Sequence, residues 1–546
     1  MVAKAWGRQP SIFSEGDGMF STRGQAHLIG ATQKILTGAV VATATAIFGF
    51  VFIAVTFGTI PTANALPSFA RQTGQPCGTC HTDYPGLTPY GRLFKLGGYT
   101  AGGGQFRSTL FPSQNDSTNA LAAYAKKWGS GLPTKAPSDN SESSQSIPYA
   151  PPISMMAIVG FTHTQADQDP TGSPYSANDN VVVAPVSVFY GGAITDHIGA
   201  FAQVTYTNAP FGLQDPADRF TSKLWTWDQL DVRYANTGNL GNMPITYGVT
   251  ANNNPSVQDP WNTTPGWSFP GAYAVSSICC GFGAGTLIDG ALAAHVGGVG
   301  AYTWINNLVY LELSGYQTLN PNTQAALGKD PFGAPGMFDG IAPYWRVAVE
   351  PHWGNHWLEF GTFGMYARIH PWAFTMDTNN FYTFDTFPQT DRYTDIGFDA
   401  QYQYQGPNYW ITLRGSYIYE YQMLDASSSG FNGTTPTNPT NQLNSLKLYG
   451  SFAYGNDNRI VLTGQYFNNW GTPDATLYAN NAGFSPNTDG FIAEIAYIPY
   501  ISSQAPGWPW ANVRVGLQYT YYNRFNGDTV SAHDNNTLFA YLWFAM

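Results

Sequence analysis

Charge is the first thing this chain has little of. Only 10% of its 546 residues are Asp, Glu, Lys or Arg, against roughly 25% in an ordinary soluble protein. Long apolar runs are also nearly absent. One uncharged stretch, Ile35 to Ile60, stands near the N-terminus, and nothing after it approaches the ~20 apolar residues of a membrane helix. A helical membrane protein is thereby excluded. Basic residues are outnumbered 23 to 34, for a net charge of −11, so no nucleic-acid partner is expected. Cysteine is scarce, with four in the whole chain.

Aromatic residues make up 15% of the sequence, and glycine reaches 59 residues. Few charges, many aromatics and no long runs together predict a mainly β protein, a transmembrane antiparallel β-barrel. The period confirms the class. In YWITLRGSYIYEYQ, Tyr409, Ile411, Leu413, Gly415, Tyr417, Tyr419 and Tyr421 fall on one face, and Thr412, Arg414, Ser416, Glu420 and Gln422 on the other. Such alternation puts one face to lipid and one to a polar lumen. The segments 395–405 and 512–521 repeat it.

About sixteen strands are read this way: near 153–164, 181–190, 198–207, 224–235, 244–250, 293–305, 308–317 and 341–351, then 356–369, 391–405, 409–422, 443–454, 459–468, 488–500, 511–523 and 537–545. Tight turns at Asn306-Asn307, Gly354-Asn355, 406–408 and 455–458 alternate with long loops near 208–223, 251–288, 318–340, 370–390, 423–442 and 469–487. Short turns mark the periplasmic side of an outer-membrane barrel, and an even strand number returns both barrel ends to it. A soluble β-sandwich or propeller is disfavoured by the low charge and aromatic-tipped strands.

Ahead of the barrel, residues 1–65 read as a signal peptide. Lys34 precedes the uncharged stretch, and Ala63-Asn64-Ala65 gives an A-x-A cleavage pattern. The stretch is longer than a usual signal core, so an uncleaved anchor is the alternative, and Met19 is a candidate start. Residues 66–127 form the next unit, 128–152 a Gly/Ser/Pro-rich linker, and 153–546 the barrel.

The chemistry sits in Cys77-Gly78-Thr79-Cys80-His81. Two thiols at this spacing form thioethers with haem vinyl groups, and the adjacent His places its imidazole on the iron. A redox Cys-x-x-Cys or half a zinc site is the competing reading, but no second Cys pair lies at zinc-ribbon spacing. Absence of another CxxCH excludes a second covalent haem. The distal position is open, because 66–152 contains no Met and no His besides His81. Met156 and His163 on the first strand are the distal candidates, with Lys95 an unusual donor. Alternation turns Met156 into the lumen, where filling is its simpler role, and turns His163 outward. Arg92 and Lys95 are candidate partners for haem propionates, with a solvated surface as the alternative. The adjacent Cys279 and Cys280, in the longest loop, read as a staple. Asp167 and Asp169, in an outward loop, are candidates for attracting a cation, though such residues more often keep a loop wet.

The stretch LPSFARQTGQPCGTCHTDYPGLTPYGRLFKLGGYT, Leu66 to Thr100, closely resembles the outer-membrane cytochrome c–porin fusions of Fe(II)-oxidising bacteria. FARQTG, LTPYGR and FKLGGY carry the likeness beyond CxxCH, and ISMMAIVGFTHTQADQD and VSVFYGGAITDHIGAFAQVTY extend it into the early barrel. Tyr90 stands where that family commonly has Phe. The resemblance implies one haem c in a small N-terminal monohaem cytochrome c plug, held by Cys77, Cys80 and His81. It further implies electrons taken from extracellular Fe(II) and delivered to a periplasmic cytochrome or copper carrier. Bottom-up, a lone haem is shorter than an apolar band of about 25 Å, so it needs a proteinaceous passage, and a sixteen-stranded lumen is wide enough for a small domain. Two rivals belong to other classes: a solute porin with a haem-bearing sensor or gate, and an open-site haem peroxidase.

Overall fold

The structure, a computed structural model, describes residues 67–73, 75–100, 152–170, 175–206, 225–257, 259–264, 271–272, 274, 284–329, 333, 335–376, 382–386, 388–429, 436–502 and 509–546. The signal segment, residues 101–151 and the Cys279-Cys280 pair lie outside the described residues.

The strands run in chain order as β1 (Ile153–Thr164), β2 (Asn180–Ala193), β3 (Ile198–Tyr206), β4 (Trp225–Leu240), β5 (Met243–Asn252), β6 (Val296–Ile305) and β7 (Val309–Thr318). Next come β8 (Gly336–Phe338), β9 (Ala342–Val349), β10 (His352–Trp353), β11 (His356–Met376), β12 (Tyr382–Thr386) and β13 (Asp391–Gln405). The last six are β14 (Tyr409–Met423), β15 (Thr440–Tyr454), β16 (Arg459–Gly471), β17 (Thr488–Ile498), β18 (Asn512–Arg524) and β19 (Thr537–Ala545). β8, β9 and β10 lie along one stave beside β7 and β11, and β12 continues the stave of β13 along β11. Sixteen staves result. Each is antiparallel to its neighbours, and β1 pairs with β19 from Met156↔Ala545 to Thr164↔Thr537, closing the barrel.

Alternation along each stave sets the two faces. In β1, Ser154, Met156, Ile158, Gly160, Thr162 and Thr164 are buried and their neighbours point outward. In β14 the even positions from Trp410 to Gln422 face inward, all buried except the half-buried Arg414, which donates to Asn262 O. Outside, Leu313, Phe360, Phe398, Leu413, Leu448 and Ile495 are exposed, an apolar surface that water would not tolerate over such an area. Inside, Arg233, Arg346, Arg459 and Arg514 are buried with Glu312, Glu359, Glu420 and Glu494. An apolar belt outside, charges inside and no open edge make this a membrane-spanning barrel of the outer-membrane type. Among the described residues no helix is long and apolar enough to cross a membrane.

Two expectations need correction. β11 continues to Met376, seven residues past the expected end at 369, and pairs there with β12 inside what was read as loop 370–390. The His370-Pro371 step hid this extension, because Pro removes a ladder donor. The connection near 251–288 was read as an external loop, whereas residues 253–264 fold into the lumen. Asp259 explains that turn. Its carboxylate accepts from the backbone N–H groups of Trp261, Thr263 and Thr264, satisfying donors that would otherwise be buried alone.

β13 shows how the lumen is filled. Gln403 touches the N-terminal plug, Asp399 meets Thr263 of the folded-in loop, and Asp395 accepts from the Ile288 N–H of the segment before β6. Four residues separate each step, a rise of about 13 Å. Three packed levels therefore follow one another from the short-turn end toward the long loops.

Candidate functional site

The plug is three short helices: α1 (Pro67–Thr73), α2 (Cys77–Cys80) and α3 (Pro89–Leu96). α3 starts where the sequence dictates. The Thr88 hydroxyl accepts from Gly91 N at 3.1 Å, and Pro89 fills the first turn, where its missing N–H costs nothing. The helix stops at Gly97, with Gly98 at φ +70°. Gly91 lets α3 lie directly on the Cys80 carbonyl, a place any Cβ would occupy. α2 is one turn closed by His81 N donating to Cys77 O at 2.9 Å, and residues 82–88 fold back so that Thr88 N donates to Cys80 O at 2.9 Å. CxxCH is thus clamped between a turn and a helix.

Wall side chains seat this unit at the short-turn end. Arg459 donates to the carbonyls of His81 (2.9 Å) and Thr82 (2.6 Å), and Arg514 to that of Tyr84 (2.6 Å). Tyr449 donates to Asp83 at 2.7 Å, and Tyr302 to Leu96 O at 2.6 Å. Burial opposes ionisation of Asp83, but Arg414 and Arg514, with the Tyr449 and Thr82 hydroxyls, hold its carboxyl below the ordinary range.

Beside the plug lies a cavity that is in part open to solvent. Cys77, Cys80 and His81 line it, and Phe94, Tyr99, Phe189, Phe201 and Trp543 make much of its apolar wall. Neither cysteine is in a disulfide; burial, and then the neighbouring Cys77, push Cys80 up to about 12. His81 Nδ1 lies 3.2 Å from Gly86 O. A carbonyl only accepts, so Nδ1 carries the proton and Nε2 keeps its lone pair. Burial lowers the imidazole to about 4, which keeps that lone pair free in the haem-free chain at neutral pH. Two thiols, an imidazole of fixed tautomer and an apolar slot are the donor set a covalent haem requires. The residues present fit the group.

The other candidates separate. Met156 is 4% exposed and lines this cavity. His163 does not, because the barrel's alternation sends it outward, where its Nδ1 meets Asp179 at 2.7 Å. Lys95 lines the cavity, its Nζ donating to Val257 O (2.5 Å) and Asp259 O (3.0 Å). Burial, then Arg233, lower that amine to about 8. Arg92 is turned away to the wall, ion-paired with Glu350 at 2.9 Å and bonded to Gln403 at 2.7 Å. Its place is the seat rather than the cavity rim, since Glu350 needs a buried counter-charge. Asp167 accepts from Asn178 at 3.1 Å and serves its own loop. Sequence reading missed Arg459, Arg514 and Tyr449, which alternation places in the lumen but cannot aim at the plug.

No family model and no curated protein matches this chain. Among solved structures it is similar to a loop-deletion mutant of OmpT, an outer membrane protein of Vibrio cholerae, at 10% identity and TM-score 0.37, covering 72% of this chain and 98% of that one. OprB of Pseudomonas putida gives 12% identity and TM-score 0.39, over 72% and 92% of the two chains. The outer membrane channel DcaP of Acinetobacter baumannii gives 9% and 0.37, over 72% and 96%.

Proposed function

We propose that this chain is an outer-membrane c-type cytochrome that accepts electrons from extracellular Fe(II) and passes them to a periplasmic carrier, a cytochrome or a copper protein. One observation carries the reading: a CxxCH with a tautomer-fixed histidine opens into an apolar cavity inside a barrel, at the end bearing the short turns. When bound, the haem supplies a one-electron redox centre. Cys77 and Cys80 would hold it, His81 would offer its Nε2 lone pair to the iron, and Met156 and Lys95 share the cavity as distal candidates. The aromatic wall limits water there, and Arg459 and Arg514 fix the plug against the barrel. Three packed levels along β13 favour electron passage over solute flow, which a porin with a haem-bearing gate requires.

The test is a visible spectrum of the purified full chain. A low-spin haem c reduced rapidly by Fe(II) is the expected result. A haem that ignores Fe(II) while the barrel passes solutes would sink the proposal, and a high-spin haem consuming peroxide would replace it with an enzyme.

A further inference from the structure

One lumen level carries more negative charge than its partners offset. Arg346 is fully buried between the rings of Trp261 and Phe363, each about 5.2 Å from its guanidinium. Three buried carboxylates surround it: Asp399 in direct contact, Asp259 at 3.4 Å and Glu359 at 3.6 Å. Asp259 is satisfied by its own loop, and Asp399 Oδ2 by Arg346 and Thr263. Glu359 is different. It is 1% exposed, and neither of its oxygens has a hydrogen-bond partner; Asp399 Oδ1 has none either. These oxygens converge. A Cβ on Gly361 would lie 2.2 Å from Asp399 Oδ1 and 2.6 Å from Glu359 Oε1, so both oxygens bear on the same glycine.

One guanidinium thus stands among three carboxylates. In a buried setting an unpaired carboxylate costs several kcal/mol. A cation between Glu359 and Asp399 removes that cost.

We infer that Glu359 and Asp399 bind a hard divalent cation of the Fe(II) or Mn(II) class between their carboxylates, beside Gly361. Among the described residues no three His, Cys, Asp or Glu side chains converge as a metal centre. Two carboxylates with water completing the shell suit an exchangeable ion rather than a resident one. The site abuts the haem cavity, because Asp259 lines that cavity and also contacts Arg346. Its identity as a resting place for the electron donor rests on the proposed function; cation binding itself does not.

Mn(II), which binds without transferring an electron, is the probe. Titrated into the full chain in detergent, with free Mn(II) read by its EPR signal, it is expected to bind at one ion per chain. Losing an outer-shell partner typically weakens a metal site 10–100-fold, so removing a ligand in Glu359→Gln is expected to weaken binding at least about tenfold. Gly361→Ala, whose Cβ would displace both oxygens while leaving every charge in place, is expected to do the same. Glu494→Gln, on another part of the wall, keeps wild-type binding. Wild-type protein that leaves all Mn(II) free would overturn the site and leave a shared proton as the neutralising species. So would Glu359→Gln and Gly361→Ala proteins that bind like wild type. Neither result touches Fe(II) oxidation, which is read separately.

Discussion

Alanine at both Cys77 and Cys80 is expected to reduce covalently bound haem to background while the barrel still folds. The two effects separate because they rest on different bonds. Thioethers need both sulfurs, and no other cysteine pair in the sequence has this spacing. The barrel rests on sixteen antiparallel staves, paired for example from Arg392↔Met423 through Gln405↔Trp410 between β13 and β14. Heat-modifiable migration on gels reports the barrel, and the pyridine haemochrome spectrum reports the haem. His81→Ala is expected to behave differently, keeping attached haem but converting it to a high-spin form, since the thioethers remain and the axial nitrogen is gone. Equal haem content in the Cys77→Ala/Cys80→Ala protein and wild type would remove the basis of the functional reading.

The largest expected effect on stability is at Arg514. Its guanidinium is 2% exposed and contacts Glu494 directly, Tyr541 Oη at 2.8 Å and the plug carbonyl of Tyr84 at 2.6 Å. Arg514→Met leaves Glu494, 5% exposed, with the Gln518 amide donating to it at 3.0 Å. Breaking a buried pair from one side typically costs about 3–5 kcal/mol, most of it the stranded charge. Denaturant unfolding is expected to shift accordingly, and protease is expected to reach the plug sooner. Glu494→Gln added to Arg514→Met is expected to recover a large part of the loss, because the double variant buries no charge. A double variant no more stable than Arg514→Met would show that the plug contact, not the stranded carboxylate, carries the cost.

The barrel was legible because lipid and lumen demand opposite side chains at alternate positions. β13 and β19 have the bounds the alternation predicts, 391–405 and 537–545. β1 faces the way its Ser154, Thr162 and Thr164 require, which placed Met156 inward and His163 outward before any coordinates. Periodicity loses force where a strand meets Pro371, and it is silent on loops. Nothing in the period of two announces that Trp261 enters the lumen, although the Asp259-x-Trp261-x-Thr263-Thr264 spacing carries the Asx-type turn that lets it. The CxxCH motif was legible as well, since it is five consecutive residues. Its surroundings were not. Arg92 looked like a propionate partner because it sits near the motif, yet its counter-charge, Glu350, comes from 258 positions further along. The Glu359–Asp399 gap depends on register between β11 and β13, where Gly361 pairs with Asp399.

Electron transfer across a sealed membrane tests the central claim most directly. Vesicles carrying the full chain, with a soluble cytochrome c trapped inside and Fe(II) with a non-permeant ferric chelator outside, provide the measurement. The trapped cytochrome is expected to become reduced while a co-encapsulated sugar stays inside, and the Cys77→Ala/Cys80→Ala protein is expected to give no reduction. Sugar escaping at the rate at which the cytochrome is reduced, or equal reduction with the haem-free protein, would contradict an electron conduit through a filled barrel.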